Sequence, residues 1–267
     1  MHNIELIALD LDGTLLHPDE SVSERNRAAI AQALAAGIRV VLVTGRVVDT
    51  PIRISRELGL NLPVICCHGA LTKDFGANKV LAHIPVPLRH ALAMVKFAEA
   101  KSLAIALYSD EHFWRLENSK VYMQDMTGPA WRETPSWTSV LAEAPTFIRF
   151  LGKESVAAMR AEFGDLPLNF HYENWYDFVE CAVLSREANK LNALARLCAD
   201  FGIAADRVLA IGDSRNDVPM LKWAGLGIAM GNALPEVRAA VRLVTAANDR
   251  DGVAIAIERF VLAKKSA

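Results

Sequence analysis

An apolar stretch that ends abruptly in acids constrains this chain most. The stretch from Ile4 to Leu9 has the length and composition of a strand, and it leads into Asp10 and Asp12, which one leucine separates. If the stretch is a buried strand, its period of two sends both acids to the same side. Gly13 then permits a sharp turn at the strand's carboxyl end, where open α/β sheets bind ligands. Two adjacent carboxylates predict a bound cation or an unequal sharing of protons, whereas the alternative is a strand end with two solvated acids.

The next elements bring a second polar residue to the same edge. Ser23 is a typical N-cap for a helix, Gly37 is placed to end that helix, and an apolar run from Ile38 to Val43 follows. Strand, helix and strand with short links form a βαβ unit, so the second strand should run parallel to the first. Thr44, which follows the run, therefore reaches the edge that carries Asp10.

The middle of the chain has a different pattern. Residues 82–185 begin with a proline-containing linker and continue with helix and strand candidates that do not alternate regularly, which predicts an inserted α+β module. The alternation then resumes with Lys190 at or just before a helix start. A buried strand follows it and ends just before Asp213, Asn216 and Asp217. The predicted domains are therefore a core of residues 1–81 and 186–267 and an inserted domain of residues 82–185.

Composition narrows the choice of partners and compartment. Hydrophobic residues make up 52% of the chain and charged residues 22%, as in globular proteins with a sizeable core. The net charge of −2 gives no reason to expect nucleic acid or a membrane as a partner, and neither a bilayer-spanning run nor a signal-peptide pattern is present. The four cysteines lack zinc or redox spacing. We expect reduced thiols, a cytoplasmic location and a monomer or weak homodimer.

Strand ends of one parallel sheet gather the polar groups into a site. Carboxylate and amide oxygens suit a hard cation that prefers octahedral coordination, which favours Mg²⁺. The hydroxyl of Thr44 and the ammonium of Lys190 can donate to anionic oxygens, which favours a phosphate as ligand. Neither the P-loop pattern nor the nucleophile elbow of serine hydrolases occurs in the sequence.

At this point the motifs match a family. The sequence resembles the haloacid dehalogenase-like phosphatases, and within them the Cof-type hydrolases with a type 2 (IIB) cap. Six motifs stand in the expected chain order: Asp10-Leu11-Asp12-Gly13-Thr14, Thr44-Gly45-Arg46, Lys190, Gly212-Asp213-Ser214-Arg215-Asn216-Asp217, Gly225 to Ala233, and Asn248 to Val253. The resemblance implies an α/β fold, with a Rossmann-like doubly wound parallel sheet core and an inserted α+β cap domain.

The resemblance also implies a reaction. The chain would be a Mg²⁺-dependent phosphatase of small phosphorylated metabolites, such as sugar phosphates, in which Asp10 attacks the phosphorus and becomes an aspartyl phosphate. Asp12 would protonate the leaving oxygen and later deprotonate the attacking water. The implied phosphate or substrate contacts are Thr44, Gly45, Arg46, Lys190 and Asn216. The implied metal ligands are Asp10, the backbone carbonyl oxygen of Asp12, and Asp213, with Asp217 close by.

Two positions leave alternatives open. The family usually has Asn-Gly-Ala after the third strand, and this chain has His68-Gly69-Ala70. A hydrogen bond from His68 to a neighbouring loop is favoured over a contact with substrate. Arg46 is either a contact on the phosphate side or a solvated helix start.

Two other functions are compatible with these motifs. The same scaffold supports a phosphomutase, and a catalytically silent relative would bind a phosphorylated ligand without turnover, although all the implied catalytic positions are filled here.

The inserted domain, with a loose stretch around Trp131 and Trp137, is rich in aromatic residues. We predict that they form its small core rather than a substrate cage. They are Tyr108, Trp114, Tyr122, Trp131, Trp137, Trp175 and Tyr176.

Overall fold

The computed structural model describes residues 3–109, 111–117, 131–175 and 178–263. The chain forms two compact units, one of Met1–Leu81 with Asn189–Ala267 and the other of Ala82–Ala188. None of the four cysteines, all in the described ranges, forms a disulfide. Across these ranges no helix combines the length and the apolar character that crossing a membrane requires.

The first unit is built on a parallel sheet. Its elements before the second unit are β1 (Leu6–Leu9), α1 (Glu24–Ala35), β2 (Arg39–Leu42), α2 (Asp49–Glu57), β3 (Val64–Cys66), β4 (Leu71–Asp74) and β5 (Lys79–His83), of which β5 extends two residues into the second unit. Elements of the second unit are α3 (Leu88–Ala100), β6 (Ile105–Ser109), β7 (His112–Leu116), β8 (Trp131–Thr134), α4 (Trp137–Val140), β9 (Phe147–Leu151), α5 (Lys153–Phe163), β10 (Leu168–Trp175) and β11 (Phe178–Ser185). The chain then returns to the first unit with α6 (Lys190–Asp200), β12 (Val208–Gly212), α7 (Val218–Trp223), β13 (Leu226–Ala229), α8 (Pro235–Ala239), β14 (Leu243–Val244) and α9 (Gly252–Ile257).

Strand β1 lies inside the five-stranded sheet of order β14-β13-β12-β1-β2. It pairs in parallel with β2 on one side and with β12 on the other, so that Leu9 is level with Leu42 and Ile211. Every residue of β1 is buried, as expected for a parallel strand whose two faces are covered by helices. The predicted α/β class is confirmed, and the carboxyl ends of β1, β2 and β12 meet at one edge.

The first helix follows the predicted signals. The Ser23 side chain accepts a hydrogen bond from the backbone N–H of Asn26, so the predicted N-cap is confirmed. Gly37 follows the helix with φ +82°, a backbone conformation that favours glycine. Helix α1 buries Ala29, Ile30 and Ala33 in the core of the first unit.

Strand β3, which precedes His68, pairs differently from β1 and β2. Strand β3 belongs to a separate three-stranded sheet of order β3-β4-β5, and one parallel bridge between Val43 and Ile65 links it to the end of β2. The pairing of β3 with β4 is antiparallel. Sequence patterns did not indicate β4 and β5, because Leu71–Asp74 and Lys79–His83 are short and mix polar with apolar residues.

The second unit has a six-stranded sheet of order β10-β11-β9-β6-β7-β8. One face packs on α3 and α5, with Leu107, Ile148 and Phe150 in the shared core. The expectation of a loose stretch around Trp131 and Trp137 is wrong, because Trp131 lies in β8, which pairs with β7, and Trp137 begins α4.

Several of its aromatic residues are packed as predicted. Tyr108 and Trp137 are buried, and the Tyr108 ring stacks on Phe147 with centroids 5.0 Å apart. Phe113 stacks on Trp131. The core role is thus confirmed for Tyr108 and Trp137. Tyr122 and Tyr176 lie outside the described residues.

Candidate active site

Asp10 is fixed by the end of the central strand. It follows Leu9 in an extended conformation, and its backbone N–H donates to the carbonyl oxygen of Ile211 at 3.1 Å. Only 3% of the residue is exposed. Asp10 is thus anchored through its backbone to β12, and its carboxylate is largely removed from water.

The chain turns sharply immediately after Asp10. Leu11–Leu15 form a turn whose backbone is not helical at Asp12 and Gly13, and Gly13 has φ +72°. A Cβ at Gly13 would collide with the Asp213 carboxylate, so both the backbone conformation and the close approach require glycine here. The hydroxyl of Thr14, one residue later, donates to Asp213 Oδ1 at 2.8 Å.

Asp12 lies in a different environment from Asp10. Its side chain is 53% exposed, and it accepts hydrogen bonds from Arg46 Nε at 2.9 Å and 3.0 Å and from Arg46 Nη2 at 2.6 Å. The strand period does not set the direction of this side chain, because β1 ends at Leu9. The side chain of Asp12 is not among the carboxylates that converge on Asp10, and the implied role of its backbone carbonyl oxygen stays a prediction.

Lys190 connects two buried carboxylates. Helix α6 begins at this residue, after Asn189, whose side chain accepts from the backbone N–H of Asn192 at 2.8 Å as the N-cap. Lys190 is 2% exposed, and its Nζ donates to Asp10 Oδ1 and to Asp217 Oδ1, each at 2.7 Å. Burial opposes the charge on the lysine, but the two carboxylates outweigh it and raise the pKa of Lys190 above its ordinary value.

Asp217 braces the loop after β12. Its Oδ2 accepts from the backbone N–H of Asp213 at 3.1 Å and from the N–H and hydroxyl of Ser214 at 2.9 Å and 2.8 Å. With the bond from Lys190, four donors point at one carboxylate, which has about four lone-pair directions. Asp217 is therefore engaged in holding the loop and the lysine, whereas Asp10 and Asp213 retain more capacity for a ligand.

Three carboxylates can hold a metal ion. One oxygen from each of Asp10, Asp213 and Asp217 lies within 4.8 Å of the others. Counted as ionised, the three acids exceed the charge of Lys190 by two, which one divalent cation would balance. Oxygen ligands of this kind fit Mg²⁺. The residues present therefore fit the ion that the family resemblance implies.

Two carboxyl groups of this cluster have raised pKa values, so their ionised forms are disfavoured in the metal-free fold. Burial and the neighbouring Asp217 raise the pKa of Asp10 well above its ordinary value, although Lys190 opposes this effect. Burial and Asp217 also raise the pKa of Asp213, to about 6. Carboxyl groups that are costly to ionise in the folded protein are the groups that a cation would stabilise.

The loop after β2 carries the predicted phosphate contacts. Thr44 is fully buried, and its hydroxyl oxygen accepts from the backbone N–H of Arg46 at 3.1 Å. A Cβ at Gly45 would collide with the ring of His68. The amide of Asn216 lies 3.2 Å from His68 Nδ1, so the predicted hydrogen bond between His68 and a neighbouring loop is confirmed.

Of the two alternatives for Arg46, the helix start is wrong, and a contact on the phosphate side stays a prediction. Helix α2 starts at Asp49, so Arg46 is not a helix start, and its guanidinium binds Asp12 and Glu20. The hydrogen bond from Arg46 lowers the pKa of Glu20. Sequence patterns did not single out Glu20, because an acid in a polar loop is common and gives no signal of a distant partner.

Comparison with known proteins identifies the family. The family model of the haloacid dehalogenase-like hydrolases matches residues 7–257 of this chain. A putative phosphatase of Bacillus subtilis, YxeH, is 32% identical over 97% of this chain and 99% of its own, and the pyridoxal phosphate phosphatase YbhA of Escherichia coli is 31% identical over 93% and 96%. The crystal structure of a haloacid dehalogenase-like hydrolase from Bacteroides thetaiotaomicron is similar with a TM-score of 0.83 and 28% identity, covering 96% of this chain and 99% of that one. The resemblance read from the motifs is confirmed, and the chain is an enzyme of the haloacid dehalogenase-like hydrolase family.

Proposed function

We propose that this enzyme is a cytoplasmic, Mg²⁺-dependent phosphatase that hydrolyses small phosphorylated metabolites through a phosphorylated Asp10. The observation that carries the proposal is the buried cluster in which the Lys190 ammonium joins Asp10 to Asp217 at 2.7 Å on each side, with Asp213 completing the group. Phosphoryl transfer depends on positioning and on neutralising charge, and this cluster supplies both.

The first step forms a bond to Asp10. A carboxylate oxygen of Asp10 attacks the phosphorus, the bond to the leaving oxygen breaks, and Asp12 gives that oxygen a proton. Lys190, Thr44 and Asn216 would hold the phosphoryl oxygens. When bound, Mg²⁺ supplies positive charge that offsets repulsion between the attacking carboxylate and the phosphate.

The second step restores Asp10. Water attacks the phosphorus of the acyl phosphate, Asp12 takes the proton from that water, and Asp10 leaves as a carboxylate with inorganic phosphate as the product. The metal would be held by Asp10 and Asp213, with the backbone carbonyl oxygen of Asp12 and the braced Asp217 beside them. Each proton that Asp12 gives in the first step is thus recovered in the second.

One assay separates this function from its rivals. Release of inorganic phosphate from phosphorylated metabolites with Mg²⁺ supports the phosphatase. Conversion of one sugar phosphate isomer into another without release would indicate a phosphomutase, and binding without either reaction would indicate a silent relative. A screen across classes of phosphoester then identifies the substrate, since fold and motifs are shared among enzymes with different substrates.

Substitution of Asp12 by alanine tests its role as acid and base. The variant keeps Asp10 and the cluster but loses proton transfer, so we expect turnover to fall by roughly 10²–10⁴-fold on a sugar phosphate. The loss should be smaller on nitrophenyl phosphate, whose leaving group needs no proton. Steady-state rates on the two substrates measure the difference, and equal losses would contradict the general-acid role.

Metal binding should depend on pH in a defined direction. The pKa of Asp213 is raised to about 6, so its stabilising contribution to the metal-free fold is present below about pH 4 and is lost as the pH rises through 6. Mg²⁺ binds the ionised form. We therefore expect Mg²⁺ to raise the Tm more at about pH 7.5 than at about pH 5, as measured by thermal unfolding with and without the ion. An equal rise at both pH values would contradict the carboxylate site.

The inserted unit is proposed to select the substrate. Every residue assigned to chemistry lies outside residues 82–185. Substitutions in that unit that alter selection should change kcat/KM for the preferred metabolite by about tenfold or more and leave hydrolysis of acetyl phosphate within a few-fold of wild type. A scan of the unit with both substrates tests this division, and uniform loss on both would show that the unit contributes catalytic groups.

A further inference from the structure

His68 sits in an unusual backbone turn beside the loop after β2. Both Cys67 and His68 have positive φ, +52° and +54°. The backbone N–H of His68 donates to the carbonyl oxygen of Thr44 at 3.0 Å, and that of Cys67 donates to the carbonyl oxygen of Arg46 at 2.9 Å. Two backbone hydrogen bonds therefore hold the turn against the Thr44–Arg46 loop. Residue 68 must also tolerate a left-handed conformation.

The ring of His68 connects this turn to a second loop, the one that carries Asn216. It packs against Gly45 so closely that a Cβ there would overlap the ring. Its Nδ1 is hydrogen-bonded to the Asn216 side-chain amide at 3.2 Å, and the oxygen of the same amide shares the Ser214 hydroxyl with Asp217. Only 6% of His68 is exposed, so the ring is a packed part of the interior. The amide of Asn216 is thus held between Ser214 on one side and His68 on the other.

We propose that His68 is a positioning residue that fixes the spacing between the Thr44–Arg46 loop and the Asn216 amide. These donors form the seat for the phosphoryl group, that is, the site that binds its oxygens, and His68 sets its shape. This inference rests on the proposed function, in which Thr44 and Asn216 hold the phosphoryl oxygens. His68 acts through Gly45 and Asn216 and has no role in proton transfer. Its contribution is to hold two separate donors at one distance before the phosphate arrives, which lowers the entropic cost of binding.

A positioning role predicts a particular kinetic pattern. Both the substrate and the product inorganic phosphate present the same phosphoryl oxygens, so loss of the ring should weaken both. The loss in kcat/KM should be the same for good and poor leaving groups, because the seat does not contact the leaving group. Loss of a proton donor would give the opposite pattern, with a larger effect on poor leaving groups.

Two substitutions separate the ring from the backbone. His68→Gly removes the ring and adopts positive φ without strain, so any defect comes from the lost side chain. His68→Asn also tolerates this conformation and places a polar atom where Nδ1 stands, so it retains the bond to Asn216. We expect His68→Gly to raise the inhibition constant of inorganic phosphate and the KM of nitrophenyl phosphate about tenfold, and His68→Asn to recover most of that loss.

The measurements are inhibition by inorganic phosphate with Mg²⁺ and direct calorimetric binding of phosphate to the full chain. His68→Gln is a third variant, whose extra methylene misplaces the polar atom, and it should behave like His68→Gly. The proposal is overturned if the phosphate affinity of His68→Gly and His68→Gln stays within twofold of wild type, or if the loss grows for poor leaving groups. A wild-type chain that binds phosphate but releases none from any ester would refute the proposed function alone, because calorimetry would still report the effect of each variant on the seat.

Discussion

Asp10→Asn is expected to lower phosphate release by several orders of magnitude while the protein stays folded. The amide keeps the size of the side chain and can still accept from Lys190. It lacks the negative charge that attacks phosphorus, and it binds the cation less well than a carboxylate does. Nitrophenyl phosphate hydrolysis with Mg²⁺ measures the loss. Retention of even a tenth of wild-type turnover would contradict the proposed phosphorylation of Asp10. The exposed Asp200, at the end of α6, gives the matched control, since Asp200→Asn should leave the rate unchanged.

The same variant should behave differently in unfolding. Burial and Asp217 raise the pKa of Asp10, so its stabilising contribution is present at low pH and is lost as the pH rises past its raised pKa. Above that pKa the ionised carboxyl is a cost to the metal-free fold, and Asn removes that cost. We expect the Tm of metal-free Asp10→Asn to equal or exceed that of wild type, and its rise on addition of Mg²⁺ to be smaller. A large drop in metal-free Tm would show that the carboxylate is needed by the fold.

Lys190→Met is expected to damage both stability and activity. The substitution keeps most of the length of the side chain but leaves Asp10 and Asp217 buried without their shared cation. Removing one partner of a buried ion pair typically costs about 3–5 kcal/mol, and uptake of a proton by the carboxylates would reduce this figure. Losing a charged group that stabilises the transition state typically costs about 10²–10³-fold in rate. Urea unfolding and phosphate release measure the two effects.

The pH dependence of this variant gives a further test. The carboxyl groups near the missing ammonium can protonate at low pH, so the loss of unfolding free energy should be smaller at about pH 5 than at about pH 7.5. Lys222→Met, at an exposed lysine in α7, is the matched control and should change stability by no more than about 0.5 kcal/mol. If Lys190→Met were equally mild at both pH values, the buried cluster would not depend on the lysine.

The sequence predicted which residues lie close together more accurately than it predicted the hydrogen bonds between their side chains. Topology brings Asp10, Thr44 and Asp213 to one edge because parallel strands point the same way, and the structure places Lys190 in contact with Asp10 at that edge. The pairing of Asp12 with Arg46 could not be predicted, because it depends on a turn that begins where the strand period ends.

Other features depended on contacts that leave little mark on a sequence. Glu20 joins Arg46 across a polar loop, and many acids in such loops have no partner. The β3-β4-β5 sheet was missed because its strands are short and lack regular alternation. The motif predicts Asp217 near the metal, but its four hydrogen bonds show that it also braces the loop, which no sequence pattern indicates.

The position of β1 between β2 and β12 has a consequence for synthesis of the chain. Leu6 is level with Arg39 on one side and with Val208 on the other, so one edge of the first strand waits for residues about two hundred positions later. The second unit, which is continuous from Ala82 to Ala188, can complete its own sheet in the meantime. We expect the nascent chain to expose the unpaired edge of β1 until β12 leaves the ribosome, and edges of this kind recruit chaperones or aggregate.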